Sequence, residues 1–177
     1  MINIQYHQTN IGELILGSYG EQLCMLDFRY RKMRATVDQR LKNKTKSEFI
    51  EQNDAILHRA RQEIDEYLKG TRTKFDIPII MLGSKFQESV WNALLAVPYG
   101  ETSSYLELSR AIGNEKAVRA VAGANGANAL GIIIPCHRII GNDGKLVGYG
   151  GGLPAKKHLL KLESNVIQYQ KSLKQSG

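Results

Sequence analysis

Alternating apolar and polar residues open the chain and predict a small β-sheet. A first strand covers the alternation from Ile2, a second run occupies residues 13–18, and a third alternation leads to Phe28. Gly12 and Gly20 mark the turns between these runs. The apolar positions of the first and third strands are Ile2, Ile4, Tyr6, Cys24, Leu26 and Phe28. Cys24, with apolar neighbours on both sides, is interpreted as a small core hydrophobe.

Helical spacing replaces alternation after these strands. Ser47 is a candidate N-cap for a helix that ends before Gly70. Its apolar stripe is Ile56, Ala60, Ile64 and Leu68. Residues 75–82 then predict a returning edge strand around Pro78. The basic run 29–34 has no aromatic or glycine organisation typical of a nucleic-acid site, so we predict a solvated loop. Residues 1–82 are therefore predicted to form a small N-terminal α/β domain.

The second half begins with two capping boxes, which predict two helices. Ser84 pairs with Gln87, and Ser104 pairs with Glu107 three residues later. A third helix follows a glycine turn, with Asn114 as its predicted N-cap. Two short helices joined by a tight turn are typical of a helix-turn-helix that binds DNA, although the pattern of these helices alone favours two packed helices of an ordinary α-rich domain.

Residues 132–140 place a reactive group between two apolar segments. Ile132 to Ile134 predict a buried strand, and Pro135 stops it immediately before Cys136. His137 and Arg138 follow, and we expect these neighbours to lower the pKa of the thiol. Contact between Cys136 and His137 requires either a turn after Pro135 or a bridging water. Cys136 could instead be an inert core residue.

Residues 141–152 are rich in glycine without matching a phosphate-binding loop. The dinucleotide pattern requires a glycine where Leu153 stands, and Gly144-Lys145 is not followed by Ser or Thr. We predict a hairpin with its turn at residues 142–144, followed by a glycine loop that a flat ligand could approach. Glu163, in the last predicted helix, is either an orienting partner for His137 or an ordinary surface carboxylate. Residues 166–177 are predicted to be a frayed polar tail.

Composition narrows the class of protein. Lys and Arg total 24 against 17 Asp and Glu, a formal charge of +7 that favours a polyanionic partner. Two distant Cys residues do not form a disulfide framework, which indicates a reducing, cytoplasmic location. No apolar run approaches the roughly 18 residues needed to span a bilayer, so we expect no membrane insertion.

The motif around Cys136 resembles the active-site signature of the O6-alkylguanine-DNA alkyltransferases. The similarity covers residues 84–163 in the order and spacing of that family, and the N-terminal half only loosely. The segments that carry it are Pro98-Tyr99-Gly100-Glu101-Thr102, Tyr105, Arg119-Ala120-Val121, Asn128, Pro135-Cys136-His137-Arg138, Gly151-Gly152-Leu153 and Leu159-Leu160-Lys161-Leu162-Glu163.

The resemblance implies an α+β fold, in which an RNase H-like N-terminal domain (1–82) precedes a mainly helical, winged helix-turn-helix-like domain (83–165). It implies a monomer that binds double-stranded DNA, flips out an O6-alkylated guanine and transfers the alkyl group to Cys136 once, without metal or cofactor. His137 would deprotonate the thiol and Glu163 would orient His137. The residues expected to contact DNA or the base are Tyr105, Lys116, Arg119, Ala120, Asn128, Arg138, Tyr149, Gly150 and Gly151.

Within this resemblance, Arg119 is expected to fill the vacated base stack and Asn128 to brace the turn beside the active-site strand. Two rival functions remain at this point. A cysteine hydrolase would show many turnovers, and a lesion-binding relative without chemistry would lack the thiol that Cys136 provides. The sequence leaves open which alkyl groups are preferred and whether O4-alkylthymine is also a substrate.

Overall fold

A four-stranded sheet forms the first half of the chain in the computed structural model, which describes all 177 residues. The strands are β1 (Ile2–Thr9), β2 (Gly12–Tyr19), β3 (Gln22–Phe28) and β4 (Phe49–Glu51). Their order is β3-β2-β1-β4, with antiparallel pairs except for the parallel pair of β1 with β4. The three predicted strands are confirmed, and Gly20 has the positive φ that the turn between β2 and β3 requires.

Two helices pack on this sheet, and the sequence predicted only the second. They are α1 (Arg34–Thr45) and α2 (Ala55–Leu68). Only Val37 and Leu41 of α1 are buried, so its apolar periodicity was too weak to recognise. The N-cap predicted at Ser47 is wrong, because Asp54 accepts the hydrogen bond from the amide of Leu57 at 2.8 Å. β4 occupies part of the intervening segment.

The basic run 29–34 is only partly the solvated loop that we predicted: residues 30, 32 and 33 are exposed, but Arg31 and Arg34 are not. Arg31 and Arg34 both form ion pairs with Asp27, whose side chain is only 3% exposed at the end of β3. Arg31 also donates to the carbonyl oxygens of Gly126 and Asn128 in the second half of the chain. The buried carboxylate of Asp27 requires nearby donors, and Arg31 is one of them. Because Arg31 also bonds the second half, this network joins the two halves.

The predicted edge strand at residues 75–82 is also absent. The segment makes a single bridge beside β3, in which the amide of Leu23 donates to the carbonyl of Pro78 and the amide of Ile80 donates to Leu23, both at 2.9 Å. Proline supplies no amide hydrogen, which limits this segment to a brief contact with the sheet edge.

The second half is mainly helical, and both predicted capping boxes are confirmed. Asn114 makes no side-chain cap, because a short 3₁₀ turn at Glu115–Ala117 precedes the third helix. The helices are α3 (Lys85–Leu95), α4 (Tyr105–Ala111), α5 (Val118–Gly126) and α6 (Leu153–Gln175). The predicted α+β fold class is therefore confirmed. No helix of the chain has both the length and the apolar character needed to cross a membrane.

The segment before Cys136 is a buried turn rather than the predicted strand. Ile132 has a φ of 70°, and the amide of Ile134 donates to the carbonyl of Leu130 at 2.8 Å. Cys136 opens a 3₁₀ turn that ends at Arg138. A short buried apolar run has no periodicity that separates a strand from a turn. The turn predicted at residues 142–144 is present, but no strands flank it, so the hairpin prediction is wrong.

The last helix continues beyond the predicted boundary. Residues 166–175, predicted as a frayed tail, form the C-terminal turns of α6. A Cβ placed on Gly70 would lie 3.1 Å from Val166, and one on Gly100 would lie 2.5 Å from Ile167. These two apolar side chains therefore pack against loops from both halves of the chain.

The two halves share one hydrophobic core of 26 buried residues that includes Leu14 of the sheet, Trp91 of α3 and Cys136. The glycine loop takes part in this contact. A Cβ on Gly151 would lie 2.4 Å from the ring of Phe28, and one on Gly150 would lie 2.9 Å from Arg31. The glycines of this loop therefore allow it to pack closely against the N-terminal half.

Replacing Gly151 with Ala is expected to lower the free energy of unfolding by about 1–3 kcal/mol, because the new methyl group collides with the Phe28 ring. Urea denaturation measures this change. Gly148→Ala is the matched control, since a Cβ there meets nothing within 4 Å, and its effect is expected to stay within about 0.5 kcal/mol. Equal stability of both variants would contradict the close packing.

Candidate active site

Cys136 lies at the base of a cavity and is held by one asparagine. The side-chain amide of Asn128 donates to Sγ of Cys136 at 3.3 Å and to the carbonyl of Ile134 at 2.9 Å. Its Oδ1 accepts from the amide of Leu130 at 2.9 Å. Asn128 therefore fixes both the turn that precedes Cys136 and the direction of the thiol.

The thiol is protonated at rest, contrary to our expectation of a lowered pKa. Burial raises the pKa of Cys136, and the hydrogen bond from Asn128 offsets only part of that effect. The guanidinium of Arg138, expected beside the thiol, points to Glu163 instead. A buried thiol with a raised pKa needs a base to become a nucleophile.

His137 has the properties of that base. Its Nε2 lies 2.8 Å from Oε1 of Glu163, and both side chains are buried. Burial lowers the pKa of His137, against the opposing pull of the Glu163 charge, so the ring is neutral at physiological pH. Because a carboxylate only accepts, Nε2 carries the proton of the neutral ring. Nδ1 has no protein partner and is the nitrogen that can accept a proton.

Glu163 is a buried carboxylate with several donors, which excludes the surface alternative. Nε and Nη2 of Arg138 donate to it at 3.0 and 2.8 Å, and the amide of Gly100 donates at 3.2 Å. The hydroxyl of Tyr67 donates to Oε1 at 2.8 Å. Burial by itself would raise the pKa of Glu163, but the hydrogen bonds from His137 and Arg138 lower it to about 2. Glu163 is therefore charged at every physiological pH.

The cavity above Cys136 has a volume of about 770 Å³ and lies between the two halves of the chain. Tyr105, Asn128, Gly150 and Gly151 line it, as does Tyr149, whose ring makes edge contacts with Phe28 and His137. The N-terminal half contributes the opposite wall: Ile11, Gly12, Glu13, Asp27, Phe28, Tyr30, Arg31, Lys32 and Met33. The volume of this cavity is large enough for a nucleobase, since small-molecule sites occupy about 300–1,000 Å³.

Three predicted DNA-contacting residues lie outside this cavity. Lys116, Arg119 and Ala120 are exposed on the 3₁₀ turn and the first turn of α5. Behind them, the indole of Trp91 donates to the carbonyl of Ala124 at 2.8 Å and holds α5 against α3. The structure therefore separates a surface set of residues from the buried set around Cys136.

Sequence reasoning missed four residues of the buried set. Arg31, which pairs with Asp27, donates to the carbonyl of Asn128 from the first half, and Tyr67 donates to Glu163. Lys156 is fully buried and donates to the carbonyls of Ile139 and Val147. The only available signals were a charged residue inside an apolar strand at Asp27 and a lysine among buried positions of a helix. The chain contains no group of three or more His, Cys, Asp or Glu side chains that could hold a metal ion.

Comparison with known proteins decides the family. The model of the 6-O-methylguanine DNA methyltransferase DNA-binding domain matches residues 85–165, and that of the ribonuclease-like domain of the same enzymes matches residues 2–81. The chain belongs to the O6-methylguanine DNA methyltransferase family. The resemblance seen around Cys136 is thereby confirmed, and it extends to the N-terminal half.

Relatives within this family match over nearly their full length. The methylated-DNA--protein-cysteine methyltransferase of Methanosarcina barkeri is 41% identical over 91% of this chain and 96% of its own. The one from Mycobacterium leprae is 40% identical over 94% and 95%. The crystal structure of Mycobacterium tuberculosis OGT in complex with DNA has 38% identity and a TM-score of 0.81, and covers 93% of this chain and 94% of its own.

The low pKa of Glu163 gives an expected pH dependence of stability. A carboxylate with a pKa near 2 in the folded state and about 4.3 when unfolded stabilises the fold above pH 4.3, and this stabilisation is lost as the pH falls towards 2. The free energy of unfolding is therefore expected to drop across this window. Glu163→Gln should flatten that slope, as measured by denaturation at successive pH values.

Glu101→Gln is the control, because Glu101 is exposed and makes no side-chain contact. It should keep the slope of the unaltered protein. A Glu163→Gln variant with an unchanged slope would show that this carboxylate is not the group that titrates.

Proposed function

We propose that this protein repairs alkylated DNA by moving the alkyl group from O6 of guanine to Cys136 in a single, irreversible turnover. The observation that carries the proposal is the buried thiol of Cys136, which lines a cavity of nucleobase size and is followed in the chain by a neutral His137. The names of the relatives from Methanosarcina barkeri and Mycobacterium leprae support the same activity.

The transfer exchanges one bond for another. Nδ1 of His137 takes the thiol proton through a water molecule, and Sγ of Cys136 attacks the alkyl carbon. The bond between that carbon and O6 breaks, and O6 becomes a carbonyl oxygen. Guanine takes up one proton at N1 from water, which is balanced when His137 releases the thiol proton. The thioether has no activated carbonyl for water to attack, so the protein is consumed, unlike a cysteine hydrolase.

The residues around the cavity take different parts in this reaction. Glu163 holds His137 in the tautomer that leaves Nδ1 free, and Arg138 neutralises the charge of Glu163. Asn128 holds the thiol and the preceding turn. Tyr105 and the wall at Tyr149, Gly150 and Gly151 receive the base and the alkyl group. The alkylated guanine must leave the helix to reach this cavity, because Sγ is inaccessible to a stacked base.

Duplex DNA binds on the surface of the helix-turn-helix. Lys116 and Arg119 are exposed there beside small residues such as Ala120 and Gly123, which permit close approach of the backbone. Arg119 fills the space that the flipped base leaves. The structure of Mycobacterium tuberculosis OGT in complex with DNA supports binding of DNA. Affinity that falls steeply with salt is expected from phosphate contacts.

The organisation of the chain fits this activity. A boundary at residues 82–83 separates the N-terminal domain from the domain that carries Cys136, and the two share a core. The protein acts as a monomer, since one chain contains the whole constellation. It works in the cytoplasm, where reducing conditions keep Cys136 a free thiol.

The first expected outcome concerns stoichiometry. Incubation with excess O6-methylguanine duplex should add one methyl group per protein molecule, on the peptide that contains Cys136, and then stop. Intact mass and peptide mass spectrometry measure this result. Cys24 is the internal control, because burial raises its pKa to about 12. Continued turnover, or methylation of Cys24, would overturn the mechanism.

The second outcome separates extrusion of the base from chemistry. Arg119→Ala should slow transfer from duplex DNA markedly, because flipping a base costs a few kcal/mol and the variant no longer fills the gap. The free base O6-benzylguanine needs no flipping, so its reaction should keep the parent rate. Single-turnover kinetics with both substrates measure the difference.

Lys116→Ala is the matched control for this experiment, since Lys116 is assigned to a phosphate contact alone. Saturating DNA should restore its transfer rate but leave Arg119→Ala slow. An Arg119→Ala variant equally slow on the duplex and on the free base would place the residue in the pocket or in the fold.

A further inference from the structure

One residue of the N-terminal half reaches the pair formed by His137 and Glu163. Tyr67, in the last turn of α2, is fully buried, and its hydroxyl donates to Oε1 of Glu163 at 2.8 Å. The same hydroxyl oxygen lies 3.4 Å from Nε2 of His137. Tyr67 belongs to the region matched by the ribonuclease-like domain, whereas the two residues that it contacts belong to the DNA-binding domain.

The direction of each hydrogen bond follows from the chemistry of the three groups. Burial and the nearby charge of Glu163 raise the pKa of Tyr67 well above its usual range, so the phenol remains protonated. A carboxylate accepts only, so the phenol proton points to Glu163. A lone pair of the phenol oxygen is then free to face the Nε2 proton of His137.

Oε1 of Glu163 is therefore the meeting point of three donors. It receives the Nε2 proton of His137, the hydroxyl of Tyr67 and Nη2 of Arg138, each at 2.8 Å. Because His137 and Arg138 are consecutive in the chain, Tyr67 is the one donor to this oxygen that comes from the other half of the molecule.

We propose that Tyr67 is a positioning residue for alkyl transfer, through which the N-terminal domain fixes the Glu163 carboxylate and so the tautomer and orientation of the His137 base. The inference rests on the proposed role of His137 and Glu163. It gives the N-terminal domain a part in the chemistry beyond its packing against the glycine loop.

Removal of the Tyr67 hydroxyl has two expected consequences. Oε1 loses a donor that holds it in place, so His137 is less well oriented. The Glu163 carboxylate also accepts one hydrogen bond fewer, so its negative charge is less well balanced. This charge then stabilises protonated His137 more strongly, which raises the pKa of the imidazole. The base then becomes protonated at a higher pH. The other titratable or charged groups around the pair are Tyr99, Arg138, Tyr149 and Lys156, and none of them is altered.

The test compares single-turnover rates of Tyr67→Phe and Tyr99→Phe with free O6-benzylguanine and with methylated duplex, across pH. Tyr99 is the matched control, since its ring contacts Tyr67 and its buried hydroxyl has no partner. Tyr67→Phe should slow both substrates about tenfold, as expected for loss of a hydrogen bond to a charged group, and should shift the acidic limb of the profile to higher pH. DNA affinity should not change, and Tyr99→Phe should match the parent.

A double variant separates this inference from the proposed function. In the Glu163→Gln background the carboxylate charge is absent, so adding Tyr67→Phe should produce no further shift of the pH profile. A Tyr67→Phe variant with the parent rate and profile, beside a slow Glu163→Gln, would overturn the role of Tyr67 and leave the relay intact. A slow Tyr67→Phe with an unshifted profile would show a purely structural role and overturn it as well. A parent-like Glu163→Gln would overturn the relay itself.

Discussion

The buried negative charge of Glu163 organises the active site of this protein. Glu163 lies out of contact with water, and an isolated carboxylate in such a place would cost many kcal/mol unless donors surround it. The donors come from separate parts of the chain: the 3₁₀ turn at His137 and Arg138, the loop at Gly100, and α2 at Tyr67. Satisfying this charge therefore requires that α2, α6 and the reactive turn meet in one arrangement. The position of Tyr67 on α2 and the geometry of the His137 base therefore depend on the same carboxylate.

The buried charge also explains how an unactivated thiol can serve a protein that reacts once. Cys136 is kept protonated by burial, which protects it from oxidation and from adventitious electrophiles, since the thiolate is the reactive form. The neutral His137 keeps its basic nitrogen ready without making the thiolate in advance. A permanently low thiol pKa would favour reactivity towards any electrophile. In this arrangement, nucleophilicity depends instead on removal of the thiol proton by a base.

How much the sequence predicted depends on the range of each interaction. The strands from Ile2 to Phe28 and the boxes at Ser84 and Ser104 were recognisable because alternation and capping are local. The reactive turn was misread as a strand, since Ile132 adopts a positive φ that β-branched residues rarely take. The pKa of Cys136 is raised rather than lowered because burial disfavours the thiolate and because Arg138 pairs with Glu163 instead of the thiol. Arg31, held by Asp27, and Tyr67 form hydrogen bonds between the two domains. No local sequence pattern predicts contacts of this kind.

The last helix fixes the reactive segment at two points that are seven residues apart. Lys156 binds the carbonyls of Ile139 and Val147, and Glu163 binds the side chains of His137 and Arg138. Seven residues are close to two helical turns, so both side chains leave the same face of α6. One inserted residue between them would rotate one anchor by about 100° relative to the other and leave a buried charge without its partners. Length changes in this family are thus expected to accumulate in the exposed turn at residues 142–145, while the stretch from 156 to 163 keeps a constant length.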